Sequence, residues 1–180
     1  MLYLCPAKIH KMSALPILAI SIGDPNGIGV EILLKTFSDK SLFERCIPVV
    51  YADIDFIEQQ QLLFETQVPL EIVEDSPIEG VLNVKPIWEN APKVTFGKQT
   101  PEAGKAAFES LQGATLDVKH GKADALVTAP IHKAAIKSTD FPFAGHTHYL
   151  ASVWGGEALM ILAHKKLRVA LLTDHIPLAQ

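Results

Sequence analysis

The stretch PILAISIGDPNGIGVEILLKTF, residues 16–37, limits what this chain can fold into more than any other. An apolar run, PILAISI, meets a cluster of glycine, aspartate, proline and asparagine, and the chain resumes as GVEILLKTF with apolar residues at helical spacing. Strand, tight loop and helix in that order make a β-loop-α unit. IPVVYA followed by IDFIEQQQLLFE repeats the pattern, with Asp53 or Asp55 placed to cap the helix. LEIVE and VLNV read as shorter strands on either side of DSPIEG, whereas residues 85–98, with Pro86, Pro92 and Gly97, carry no clean period and read as loop. Residues 100–120 place Ala, Phe and Leu on one helical face and predict one long helix. ADALVTAP is a further strand, HKAAIKS opens a short helix, and ALMILAH and LRVALLTDH are two more apolar runs, the second read as a fully buried strand. The expectation is an α/β fold with a mixed or largely parallel sheet and flanking helices, with no internal repeat and no low-complexity segment.

Composition narrows the function classes. A chain of 180 residues that is 48% apolar can bury a real core, which excludes a disordered segment. A net charge of −4 with no basic run argues against nucleic acid and for a small-molecule partner. Cys5 and Cys46 have no CxxC or ligand-like spacing, which fits a reducing compartment. Lys8, Lys11 and the run ALPILAISI resemble a secretory signal, but no small-residue cleavage pattern follows and the run leads straight into GDPNGIG. Met12 is a natural start, so residues 1–14 read as an N-terminal extension and the beginning of the first strand, and 15–180 as the working region. No apolar stretch approaches the ~20 residues that cross a bilayer. The expected location is cytoplasmic, with no membrane partner.

Working residues in open α/β sheets gather where strands end and the chain leaves the sheet. The first such place is SIGDPNGIGVE, where Gly23, Gly27 and Gly29 permit unusual backbone angles or close ligand approach and the next helix N-terminus favours an anion. Its spacing is neither GxGxxG nor a P-loop. Asp24 is either a ligand contact or a turn residue bonded to its own backbone. The second is DALVTAPIHKAAIKS, in which Lys133 either binds a carboxylate or phosphate or is a solvated helix-surface cation. The third is LLTDHIPL, with His175 just past a strand and so a metal-ligand candidate. GHTHYL, residues 145–150, offers two histidines that would share an ion on an extended segment, but that would stand about 200° apart if the helix begins at Thr147.

Taken together, GDPNGIGVE, TPEAGKAAFESL, KADALVTAPIHKAAI, FPFAGHTHYLA and LRVALLTDHIPL come in the order and approximate spacing of the 4-hydroxythreonine-4-phosphate dehydrogenase (PdxA) family, which the chain resembles from about Leu15 to Leu178. The resemblance implies a two-domain α/β architecture like that of isocitrate and isopropylmalate dehydrogenases, a homodimer when full length, and an active site in the interdomain cleft. It implies NAD- or NADP-dependent oxidation of the secondary alcohol of 4-phosphooxy-L-threonine, a small phosphorylated hydroxy amino acid, to a 3-oxo acid. That acid loses carbon dioxide to give 3-amino-2-oxopropyl phosphate, in pyridoxal phosphate biosynthesis. A divalent metal (Zn, Mg, Co or Mn) would polarise the alcohol oxygen.

Carried over by position, His146 and Thr147 match the family's substrate contacts and His175 a metal ligand, while Asp24 and Lys133 fall in the cleft-lining segments. The sequence departs from the family pattern at His148, where glutamate is usual, at His132, where asparagine is usual, and at Val30, where proline is usual. Family members continue well beyond the HIPL segment, so the expectation is an N-terminal portion, truncated and with little turnover alone. One histidine does not make the three protein ligands of a catalytic zinc site. Three alternatives follow: a paralogue acting on a phosphorylated four-carbon hydroxy acid, a non-catalytic binding module, and a hydrolase using His146 and His148 as a metal pair.

Overall fold

A computed structural model describes residues 2–4, 15–137 and 141–171. The chain divides into two compact units, Met1–Pro142 and Phe143–Gln180, each described by itself. The first contains strand β1 (Leu2–Leu4), β2 (Ile17–Ser21), helix α1 (Gly29–Phe37), a 3-10 turn over Lys40–Glu44, β3 (Ile47–Ala52) and α2 (Ile54–Leu63). It continues through β4 (Leu70–Ile72), β5 (Leu82–Pro86), α3 (Pro101–Lys119), β6 (Ala125–Thr128) and α4 (Lys133–Ile136). Strand order is β1-β6-β2-β3-β5-β4, with every neighbouring pair parallel except β1 on β6. The mixed α/β architecture read from the sequence is the one observed.

Both faces of the sheet are covered, which is why the central strands read as unbroken apolar runs. Side chains alternate along a strand. Ile20, Val50 and Val84 therefore join one core with Val30, Leu34 and Phe37 of α1 and Phe56 and Ile57 of α2. The opposite face meets α3, where Ser110, fully buried, donates its hydroxyl to the Tyr51 carbonyl (2.6 Å) and accepts the Ile22 N–H (3.1 Å). One side chain thereby ties the ends of β2 and β3 together. The choice of cap for α2 falls to Asp53, whose carboxylate accepts the Phe56 N–H at 3.0 Å.

Proline inside a sheet removes a ladder donor and is normally kept to edges or strand starts. Pro48 is the second residue of β3, an interior strand. Ile47 N–H is spent on Pro16 O toward β2, so by alternation the absent donor at Pro48 faces β5, just before that pairing begins at Val49↔Asn83. The fully buried Asn83 amide donates to the Pro48 carbonyl (3.0 Å) and to Ile78 O (2.9 Å), and accepts the Ile78 N–H (2.7 Å).

A second buried polar group sits between β3, β5 and α3. Asp117 accepts both the Tyr51 hydroxyl (2.8 Å) and the Lys85 ammonium (2.5 Å). Burial first, and then Asp117, push the Tyr51 phenol well above the usual range. The unfolded phenol ionises near pH ~10 while the native one keeps its proton, so stability is fully retained below that pH and falls by about 1.4 kcal/mol per pH unit above it. Tyr51→Phe is expected to flatten that alkaline slope by the same amount, read from urea unfolding between about pH 9 and about pH 11. An unchanged slope would show that the phenol ionises natively as it does unfolded.

The second unit holds α5 (His146–Trp154) and a hairpin of β7 (Ile161–His164) with β8 (Leu167–Ala170), in the register Leu162↔Val169. Here the structure corrects the sequence. The LRVA strand was expected to be fully buried, yet all four of its residues, like all four of β7, are exposed. Apolar composition records a strand's preference for burial; a two-stranded ribbon has no third layer to supply it. Within the N-terminal extension, Leu2–Leu4 adds a strand to the sheet. Among the described residues no helix is long and apolar enough to cross a membrane.

Candidate functional site

β2 and β6 end side by side, in register at Ser21↔Thr128, and their outgoing loops lie in contact. Ala129 N–H reaches Ser21 O at 3.1 Å and Asp24 N–H reaches Pro130 O at 2.9 Å. The approach is close enough that only glycine fits at position 23. Its φ is +70°, and a Cβ there would run into the Pro130 carbonyl oxygen. Asp24 makes the contacts of a turn residue: its carboxylate accepts Asn26 N–H (2.9 Å) and its carbonyl accepts Gly27 N–H (3.0 Å).

The residue that sequence reasoning missed is Asn26, buried at 3% exposure. Its side-chain oxygen accepts Thr95 N–H (2.7 Å), its amide donates to Lys98 O (2.9 Å), and its own carbonyl accepts Gly97 N–H (3.0 Å). Asn26 thus straps residues 95–100 onto the β2–α1 loop. Asn-Gly is the commonest turn dipeptide, and that local signal hides a partner some seventy positions away. Asn26→Ala removes the partners of the Thr95 N–H and the Lys98 carbonyl, both in exposed residues that water can reach, at about 0.5–1.5 kcal/mol for each bond lost. The amides of residues 95–100 are expected to exchange more than about tenfold faster, read by hydrogen exchange; unchanged exchange would mean the strap is held elsewhere.

His132 and Lys133 open α4. His132 is its cap, with Nδ1 accepting Ala135 N–H at 3.2 Å, and Lys133 is exposed on the first turn. Capping separates the helices into two groups. Asp53, Thr100 and His132 place side-chain acceptors on the first turns of α2, α3 and α4. α1, entered from Ile28, and α5, entered from Gly145, have no side-chain cap. α1 begins at the last glycine of GDPNGIG and α5 at the first histidine of GHTHYL, and the start of each carries the positive end of its helix dipole, which suits an anion.

In the second unit α5 begins at His146, so His146, Thr147 and His148 all lie on its first turn. Residues two apart on a helix diverge by about 200°. His146 and His148 therefore do not converge on one ion, which removes the hydrolase alternative. Thr147 is half-buried and His148 exposed, and the Phe143 and Tyr149 rings meet edge-on at 5.4 Å beside this turn. His175 lies outside the described residues. Among the described residues no group of three or more His, Cys, Asp or Glu side chains could hold a metal ion.

The sequence profile of a family described as "Pyridoxal phosphate biosynthetic protein PdxA" matches residues 44–180. A 4-hydroxythreonine-4-phosphate dehydrogenase of Bacteroides thetaiotaomicron is 39% identical over 167 residues, covering 91% of this chain and 46% of that protein. One from a Sulfurihydrogenibium species is 45% identical over 165 residues, covering 89% and 50%. A D-threonate 4-phosphate dehydrogenase of Cupriavidus necator is 33% identical, covering 91% and 51%. The crystal structure of a 4-hydroxythreonine-4-phosphate dehydrogenase from Burkholderia phymatum superposes with a TM-score of 0.81 at 28% identity, over 92% of this chain and 52% of that one. The chain spans about half the length of the curated relatives it matches.

Proposed function

This chain belongs to the PdxA family, and from that premise we propose that the whole protein is an NAD- or NADP-dependent 4-hydroxythreonine-4-phosphate dehydrogenase of pyridoxal phosphate biosynthesis, acting as a cytoplasmic homodimer. The observation that carries the reading is the GHT segment, GHTHYL, set on the uncapped first turn of α5. In this reading His146 and Thr147 contact the substrate, and the positive end of the α5 dipole faces one of its anionic groups. In the first unit, taken by itself, Lys133 is an exposed cation on the first turn of α4 and Asp24 shapes the loop after β2; both are proposed as cleft residues on their match to the family's segments.

When bound, a nicotinamide would supply the hydride acceptor for the carbinol carbon, and a base would take the hydroxyl proton. The resulting β-keto acid then loses carbon dioxide. A divalent metal would polarise the alcohol oxygen, and His175 is proposed as one ligand on its match to the HIPL segment. Among the described residues no group of three metal-ligating side chains is found, and the role proposed for them is substrate binding and orientation.

The test uses the protein at the length of its relatives, purified and offered 4-phosphooxy-L-threonine and D-threonate 4-phosphate with NAD and with NADP. NAD(P)H formation with the threonine compound, reduced roughly 10- to 100-fold in kcat/KM by His146→Ala, is expected if one hydrogen bond to a charged group is lost. Equal or faster turnover of the threonate would move the assignment to the second reading, which the Cupriavidus necator relative favours.

A further inference from the structure

The chain holds three asparagines, Asn26, Asn83 and Asn90, and only Asn26 is followed by glycine. Asparagine is chemically labile, and most so before glycine, where no side chain hinders attack of the next backbone nitrogen on the asparagine side-chain carbonyl carbon. The attack expels ammonia and closes a cyclic imide, which water then opens. Opening at the side-chain carbonyl leaves aspartate; opening at the main-chain carbonyl leaves isoaspartate, with the backbone rerouted through the side chain. One water enters and one ammonia leaves, so no other reactant is needed.

The fold holds both reacting groups off this path. The nucleophile, the Gly27 nitrogen, donates its N–H to Asp24 O at 3.0 Å. The electrophile is the Asn26 amide carbon, whose oxygen accepts Thr95 N–H (2.7 Å) and whose nitrogen donates to Lys98 O (2.9 Å). Gly97 N–H closes on the Asn26 carbonyl at 3.0 Å, and Asn26 is only 3% exposed. To meet the Gly27 nitrogen the side chain must leave both partners, and water must reach the imide to open it. Both conditions require residues 95–98 to come off the loop. That segment is exposed and lies in neither helix nor strand, so it belongs to the part of a fold that opens locally.

We propose that Asn26 is a deamidation site controlled by its own strap: Asn26-Gly27 is inert while residues 95–98 are bound, reacts while they are released, and yields products that cannot rebuild the strap as it was. Either product has lost the amide donor, so a carboxylate oxygen faces the Lys98 carbonyl, acceptor against acceptor. Isoaspartate also lengthens the main chain by one carbon, which displaces the loop. The converted fraction therefore records how long the strap has stood open. Loop motion is fast beside this chemistry, so the rate tracks the equilibrium population of the open form, the same population that exchange of the Gly97 N–H reads.

The experiment follows Asn26 deamidation by peptide-mapping mass spectrometry and Gly97 amide exchange in the 180-residue chain, at one pH and temperature, each relative to the same chain unfolded in urea. Both are expected to be slowed by the same factor. Gly97→Ala loosens the strap alone, because Gly97 has φ +70° and nothing within 4 Å of an added Cβ. It is expected to raise both rates about 5- to 30-fold while β2 and β3 keep their protection. Gly27→Ala places its Cβ at an ordinary 3.4 Å from the Asp24 carbonyl oxygen, and is expected to slow deamidation while leaving Gly97 exchange unchanged. Native deamidation faster than Gly97 protection allows would overturn the proposal, as would Gly97→Ala speeding exchange but not deamidation. Loss of protection across β2 and β3 in Gly97→Ala would overturn it too, because the strap would then not open by itself. A Gly27→Ala rate equal to the parent's would rule out the imide route.

Discussion

Gly23→Ala is expected to destabilise the first unit by more than about 4 kcal/mol, enough to unfold a domain of ordinary stability. Two separable costs meet at this position. A left-handed backbone costs an alanine roughly 1–2 kcal/mol wherever it occurs. The rest is steric: the added methyl would point into the Pro130 carbonyl oxygen and lie 2.9 Å from the Ala129 and Pro130 carbonyl carbons, all of them backbone atoms that no rotamer change can move. Relief requires the loops after β2 and β6 to separate, which breaks the Asp24 to Pro130 hydrogen bond. Gly80→Ala isolates the two costs, because Gly80 has a similar φ of +81° and nothing within 4 Å of its would-be Cβ. Urea unfolding of the two variants should place Gly80→Ala about 1–2 kcal/mol below the parent and Gly23→Ala far lower, or unfolded before denaturant is added. Equal losses would mean the loop contact carries no weight.

Asp117→Ala is expected to be the next most damaging change. Asp117 accepts from two partners, the Tyr51 hydroxyl and the Lys85 ammonium, and its side chain and that of Lys85 are only 14% and 21% exposed. Replacing it leaves an ammonium and a phenol largely cut off from water without their acceptor. Removing one member of a buried ion pair costs about 3–5 kcal/mol, discounted here to about 3 because Lys85 keeps some access to solvent. Asp117→Ala combined with Lys85→Met removes the stranded charge and should recover more than about 1 kcal/mol of the loss. A double variant no more stable than the single one would locate the cost elsewhere.

Much of this fold is legible in the sequence because it is local. The β-loop-α units, the helix of residues 101–119 with Thr100 and Pro101 at its head, and the aspartate before α2 all follow from spacing and turn chemistry within a few residues. The illegible parts join distant segments. Nothing near Asn26, Ser110 or Asn83 announces that each closes contacts with chain segments far away, because short polar side chains in loops and helices are ordinary. The HxH reading turned on where one helix starts, and a boundary shift of a single residue decides it. The apolar run LRVA reads as buried because hydropathy reports what a strand would bury, and the neighbour that would bury it is a tertiary fact.

Pro48 and Asn83 also bear on how β3 finds its place. Parallel strands pair late and without a hairpin to align them, so a run as uniformly apolar as IPVVYA could settle against its neighbours in several offsets of nearly equal hydrophobic gain. A proline beyond the last ladder position costs nothing there, but sliding β5 toward it would place the missing donor inside the pairing. Asn83 adds a positive mark: its amide finds the Pro48 carbonyl only at the native offset. Together they tie the native β3–β5 offset to two particular side chains, so the register of a uniformly apolar strand rests on its one proline and one asparagine partner.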